Sequence, residues 1–192
     1  MKFRAVLFIV GVALELVSLS QAQESGLSDC EWCGATEAPR VPSWKTVIAA
    51  KNEPGQPMRI SGRVLKPDGT PAQSVILYVY HTNAKGIYEK RGDETGNGKR
   101  HGYLRGWMKT NARGEYEFTT IKPEPYPNGR AAAHVQITVL EPGKAKYWID
   151  SFLFQGDPLL SEQEKKQSGI VRLVKNQEGI LIGTRDFVLP KR

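Results

Sequence analysis

Leu104-Arg105-Gly106-Trp107-Met108-Lys109-Thr110-Asn111-Ala112-Arg113-Gly114-Glu115-Tyr116-Glu117-Phe118-Thr119-Thr120-Ile121 is the stretch on which the fold class turns. It reads as strands over 104–110 and 115–121, joined at Asn111-Ala112-Arg113-Gly114 by a hairpin connection with its Gly late in the loop. The neighbouring segments have the same rhythm. A strand is expected over 58–65, followed by Lys66-Pro67-Asp68-Gly69, where Pro presets φ and Gly accepts a positive φ. Residues 75–80 form a β-branched and aromatic run, 133–140 alternate, 147–154 continue the pattern and 186–189 close it. Short strands at regular spacing with turn chemistry between them predict an all-β sandwich. One short helix is expected after Ser161-Glu162-Gln163-Glu164, which has the form of a capping box.

The N-terminal segment differs from this domain. Met1-Lys2-Phe3-Arg4 precedes an apolar run over 5–19 and the small-x-small triplet Ser20-Gln21-Ala22, which reads as a signal peptide cut after Ala22. A secreted or periplasmic protein is therefore expected. No later run approaches the ~20 apolar residues that a membrane span needs. Residues 23–57 read as an arm punctuated by Pro39, Pro42, Pro54 and Gly55 and anchored by Trp44, with the sandwich occupying 58–192. Cys30 and Cys33, spaced C-x-x-C, read as a local disulfide in an oxidising compartment. Removing residues 1–22 takes away Lys2, Arg4 and Glu15 and lowers the net charge from +7 to +6. The remaining charge is dispersed, so no nucleic-acid partner is expected, whereas small acidic ligands such as phenolates are attracted. The oligomeric state is open, a homo-oligomer that exchanges the arm being one arrangement.

Candidate chemistry gathers at two places. The connection over 81–103 is too long to be a mere link and contains Tyr88. Tyr126-Pro127-Asn128-Gly129-Arg130-Ala131-Ala132-Ala133-His134-Val135-Gln136 supplies a second tyrosine, a histidine and a glutamine. Alternation along 133–140 puts His134, Gln136 and Thr138 on one face and Val135, Ile137 and Val139 on the core face. Residues two apart on one face are about 7 Å apart, close enough to converge on one ion. Tyrosinate is a hard anionic donor suited to Fe(III), and imidazole accepts several transition metals. Tyr88, Tyr126, His134 and Gln136 are thus the candidate metal ligands.

The chain resembles the intradiol ring-cleavage dioxygenases over about residues 57–156. The resemblance rests on Gly62-Arg63-Val64 with Gly69-Thr70-Pro71, Asn83 to Tyr88, Arg105 to Asn111, Gly114 to Pro123, Tyr126-Pro127 and Ala133-His134-Val135-Gln136. It implies a non-haem Fe(III) centre that binds a catechol-type ring and, with O2, cleaves it between the two hydroxyl-bearing carbons. By the same resemblance Tyr88 is the tyrosinate that stays on iron, Tyr126 the one that substrate displaces and that acts as base, and His134 the equatorial histidine. The family ends this pattern in His-x-His, and Gln136 stands where its second histidine would be. An arginine three residues before the first histidine is also common; here that position is Ala131, and Arg130, one residue earlier, is the candidate to support the ring. His81 or His101 could supply the absent imidazole. The competing reading is a catalytically silent binding or scaffold module, since the strand rhythm also resembles transthyretin-like and carboxypeptidase-regulatory sandwiches.

Overall fold

A computed structural model of the chain describes residues 31–40 and 42–191. The expected signal peptide and Cys30 lie outside them. Cys33 is disulfide-bonded. The strands are β1 Lys45–Val47, β2 Pro57–Leu65, β3 Ile76–His81, β4 Arg105–Lys109, β5 Glu115–Ile121, β6 His134–Leu140, β7 Tyr147–Trp148, β8 Phe152–Phe154, β9 Ile170–Val171, β10 Val174–Lys175, β11 Leu181–Thr184 and β12 Phe187–Val188.

Two mixed sheets face each other. One has the order β1-β5-β2-β11-β10, with β12 also pairing β2; the other has the order β4-β3-β6-β8-β9, with β7 also pairing β6. Alternation decides what lies between them. Met58, Ile60 and Val64 of β2 and Tyr116 and Phe118 of β5 meet Leu77 and Val79 of β3 and Val135, Ile137 and Val139 of β6, with Phe152 and Phe154 filling one end. Each large side chain buried this way contributes roughly 1.5–3 kcal/mol.

The expected hairpin at 111–114 is corrected by the pairing. β4 pairs β3 and β5 pairs β2, so the connection crosses from one sheet to the other. Asn111 builds the crossing, since its Oδ1 accepts from the amides of Arg113 at 2.9 Å and Glu115 at 3.0 Å. A Gly late in a loop serves either geometry, and alternation alone does not say which sheet a strand joins. The arm also differs from expectation, because β1 adds to the first sheet, parallel to β5. The expected strand over 147–154 breaks into β7 and β8. The capping box at Ser161 forms, with the Ser161 amide and hydroxyl both donating to Glu164 Oε2, yet only a 3-10 turn at Glu164–Lys166 follows.

Two glycines are required by close approach. A Cβ on Gly62 would stand 1.9 Å from the Arg185 carbonyl oxygen, which also accepts from the Tyr116 hydroxyl at 2.6 Å. A Cβ on Gly34, in the 3-10 helix Glu31–Glu37, would stand 2.2 Å from the Tyr78 ring. This helix lies over the outer face of β3 and β6, and its Gly34 carbonyl accepts from Trp107 Nε1 at 2.7 Å. Glu37 fixes it: Oε1 accepts from the Asn97 amide and Nδ2, and Oε2 accepts from Arg105 Nη1. Asn97 precedes α1, Gly98–His101, which is one turn long and the only α-helix among the described residues.

Candidate metal centre

Two loops and one strand build the site. After β3, Asn83 folds the chain back on itself: Oδ1 accepts from the amides of Lys85 and Ile87, and the Asn83 amide donates to the Ile87 carbonyl. This loop is stitched to the connection between β5 and β6. Thr82 Oγ1 donates to the Glu124 carbonyl at 2.7 Å, and the Glu124 amide donates to the Asn83 carbonyl at 3.3 Å. The first loop presents Tyr88, and the second presents Tyr126 from a turn closed by the Gly129 amide on the Tyr126 carbonyl.

The hydroxyls of Tyr88 and Tyr126 meet at 2.9 Å, and the Tyr126 hydroxyl lies 3.4 Å from His134 Nε2. His134 Nδ1 faces the Ala132 carbonyl at 2.7 Å. That contact places the proton on Nδ1 and leaves the Nε2 lone pair directed at Tyr126, the tautomer a metal-binding imidazole needs. All three side chains are partly exposed. Gln136 shares the face of His134, as alternation requires, and its Oε1 accepts from Ser151 Oγ at 3.0 Å. Its cross-strand partner on β3 is Tyr80, whose ring centroid is 5.8 Å from that of Tyr88.

The remaining candidates stand apart from this cluster. Arg130 is exposed, with its amide donating to Asn128 Oδ1. His81 is fully buried, and both its ring nitrogens are engaged, Nδ1 by the Thr82 carbonyl and Nε2 by Thr120 Oγ1. Burial pushes its pKa down to about 4, so it stays neutral. His101 sits behind Tyr80, stacked on that ring at 3.7 Å, with Nδ1 on the Tyr78 hydroxyl. Neither imidazole takes the place of the second histidine. Among the described residues no group of three or more His, Cys, Asp or Glu side chains could hold a metal, so a metal here depends on tyrosinate oxygen.

A cleft of about 340 Å³ opens beside His134 and Gln136, walled by Ala131, Trp148, Asp150, Ser151 and Glu164 among others. Sequence reasoning passed over this wall. Trp148 ends β7 and residues 149–151 form the break before β8, and no local pattern marks a break as a pocket wall.

A profile of the family described as Dioxygenase matches residues 37–188. The chain belongs to the intradiol ring-cleavage dioxygenase family. Among curated relatives, catechol 1,2-dioxygenase 1 of Acinetobacter lwoffii is 33% identical over 125 residues, covering 57% of this chain and 39% of its own length. The protocatechuate 3,4-dioxygenase beta chain of Burkholderia cepacia is 32% identical over 124 residues, covering 60% of this chain and 53% of its own. This chain therefore spans about half, or less, of these relatives. Among solved structures, the dioxygenase domain of a dioxygenase carbohydrate-binding protein fusion from Streptomyces sp. SirexAA-E has a TM-score of 0.63 at 24% identity, covering 80% of this chain and 92% of that one. The intradiol ring-cleavage dioxygenase of Tetranychus urticae has a TM-score of 0.60 at 16% identity, covering 78% and 88%. The two-sheet sandwich is thus the intradiol dioxygenase fold.

Proposed function

We propose that the protein is a non-haem Fe(III) dioxygenase that opens catechol-type rings between the two hydroxyl-bearing carbons. The observation that carries the reading is the convergence of Tyr88, Tyr126 and His134 within 2.9 and 3.4 Å contacts in a chain of this family. These residues fit a ferric ion: two phenol oxygens are hard donors, and the imidazole presents a bare Nε2. Tyr88, Tyr126 and His134 would hold the ion, with the Gln136 carboxamide beside them. When bound, iron supplies Lewis acidity and a template for the catecholate and O2.

The protein's own part is to position the ring and to move protons. A catechol brings two hydroxyl protons that must leave as it binds. Held as tyrosinate, Tyr126 is placed to take one, because it sits on the β5–β6 connection and its ring is held by side-chain contacts that rotation can break; the other passes to solvent, which reaches the partly exposed site. Tyr88 is fixed by the Asn83 turn and stays. Arg130 is exposed and its amide is bonded to Asn128, so no ring contact is assigned to it.

Export is part of the same proposal, supported by the apolar run over 5–19 and by the disulfide at Cys33. The second reading, a silent binding module, is favoured by one observation: Gln136 spends its carboxamide oxygen on Ser151. Metal analysis and a visible spectrum of the purified chain after ferric loading separate the two. The enzyme reading expects a tyrosinate-to-iron charge-transfer band and, with catechol and O2, a muconate-type diacid. A protein that stays colourless and iron-free overturns it.

A further inference from the structure

The cleft beside His134 has an unbalanced wall. Its charged side chains are Asp150 and Glu164, and no lysine or arginine lines it. Ala131 contributes no charge. Gln136, Ser151 and Gln167 add neutral polar groups, and Trp148, 45% exposed, adds an aromatic surface. The carboxylates are held in place by their neighbours. Ser161 donates to Glu164 through both amide and hydroxyl, which holds that carboxyl below the usual range. Asp150 Oδ2 accepts from Ser168 Oγ at 3.1 Å. A cation does lie behind this wall: Arg185 donates Nη1 to the Asp150 carbonyl and is attracted by the Asp150 carboxylate, but it is not part of the lining.

Carboxylates beside an indole form the surface that recognises an organic ammonium, by charge and by cation–π attraction, and that repels an organic carboxylate. We propose that this cleft selects catechols whose ring substituent ends in a protonated amine over those whose substituent ends in a carboxylate, with Asp150 and Glu164 as the specificity-determining residues. The inference rests on the catechol-binding reading above and names the substrate class of that site. Because both carboxylates reach solvent, the selection is salt-dependent.

The test is anaerobic calorimetric titration of the ferric-loaded full chain with three catechols that differ at one ring position: 4-methylcatechol, 4-(2-aminoethyl)catechol and 3,4-dihydroxyphenylacetate. The aminoethyl compound should bind about tenfold more tightly than the carboxymethyl one at low salt, with the gap narrowing at high salt. Asp150→Asn, a surface change that leaves the core untouched, should narrow it too, and adding Glu164→Gln should bring it to about threefold or less. If 4-methylcatechol binds while the two charged compounds bind alike, the selectivity is overturned and the proposed function stands. A gap unmoved by salt and by both substitutions removes Asp150 and Glu164 from the role. If none of the three binds, the proposed function itself falls and takes this inference with it.

Discussion

The hydroxyls of Tyr88 and Tyr126 share a 2.9 Å contact across 38 residues of sequence. Neither ring is positioned by a strand. Their loops are tied together upstream of both, through Thr82 on Glu124 and Glu124 on Asn83. The pair is therefore set by the two tied loops before either phenol takes part, and the consequences can be measured one residue at a time.

Asn83, 4% exposed, satisfies two loop amides with one oxygen. Asn83→Ala leaves those amides without their acceptor, which should cost about 2 kcal/mol in urea denaturation. It should also weaken iron retention although Asn83 is no ligand. Unchanged stability would show that the turn holds without it.

On the proposed reading, Tyr88→Phe removes the phenol oxygen that stays and Tyr126→Phe the one that leaves. Each should shift or abolish the charge-transfer band of the ferric-loaded chain. Tyr88→Phe should lower iron retained per chain by about tenfold or more, and Tyr126→Phe should lose turnover while retaining more iron than Tyr88→Phe. Equal losses in both would remove the distinction between a staying and a leaving tyrosine.

Gln136→His puts an imidazole on the face of His134 and cuts the bond to Ser151. Ferric affinity should rise by about ten- to a hundredfold in competition against a chelator. Ser151→Ala frees the carboxamide without adding a nitrogen and should change affinity by about fivefold or less, the size of a single neutral hydrogen bond. If the two variants behave alike, the absent imidazole is not what limits the site.

Acid should destabilise the fold through two histidines. Burial holds both His81 and His101 down to about 4, against about 6.5 in the unfolded chain. Between those values the unfolded state binds more protons, so stability is complete above pH ~6.5 and falls as pH drops toward ~4. His81 alone accounts for about 3 kcal/mol over that window. His81→Gln should flatten the stability profile there, as read by denaturation at a series of pH values.

Glu37 clips the N-terminal 3-10 helix to Asn97 and Arg105. The ion pair is well covered, with Arg105 14% and Glu37 29% exposed at their side chains. Glu37→Ala should cost about 2–3 kcal/mol because a shielded guanidinium loses its counterion. Amide exchange of α1 should quicken with it.

The five strands that frame the site, β2 to β6, were legible from alternation and turn residues to within a residue or two. Their faces were legible as well: Val135, Ile137 and Val139 went to the core and His134 and Gln136 outward. The sheet each strand joined was not, because β4 and β5 look like a hairpin until long-range partners are known. Strands such as β9 and β10 have two residues each and owe their form to neighbours. Tyr88, Tyr126 and His134 could be named from their motifs, whereas their convergence depends on loops tied through Thr82 and Asn83. Asp150 and Glu164 gave no signal, since a solvated carboxylate has the same sequence signature whether or not a cleft opens beside it.

Strand β2 lies between β5 on one side and β11 and β12 on the other, both of the latter running parallel to it. The first long strand is thus completed by two of the last. While the chain is being synthesised, β2 and β5 can pair early, but one border of β2 stays open until residues 181–188 have emerged. Such non-local pairing is slow, and an unpaired border recruits other chains. The interval between making residue 65 and making residue 188 is when this protein most needs a chaperone, and a chain interrupted at residue 180 should aggregate rather than fold.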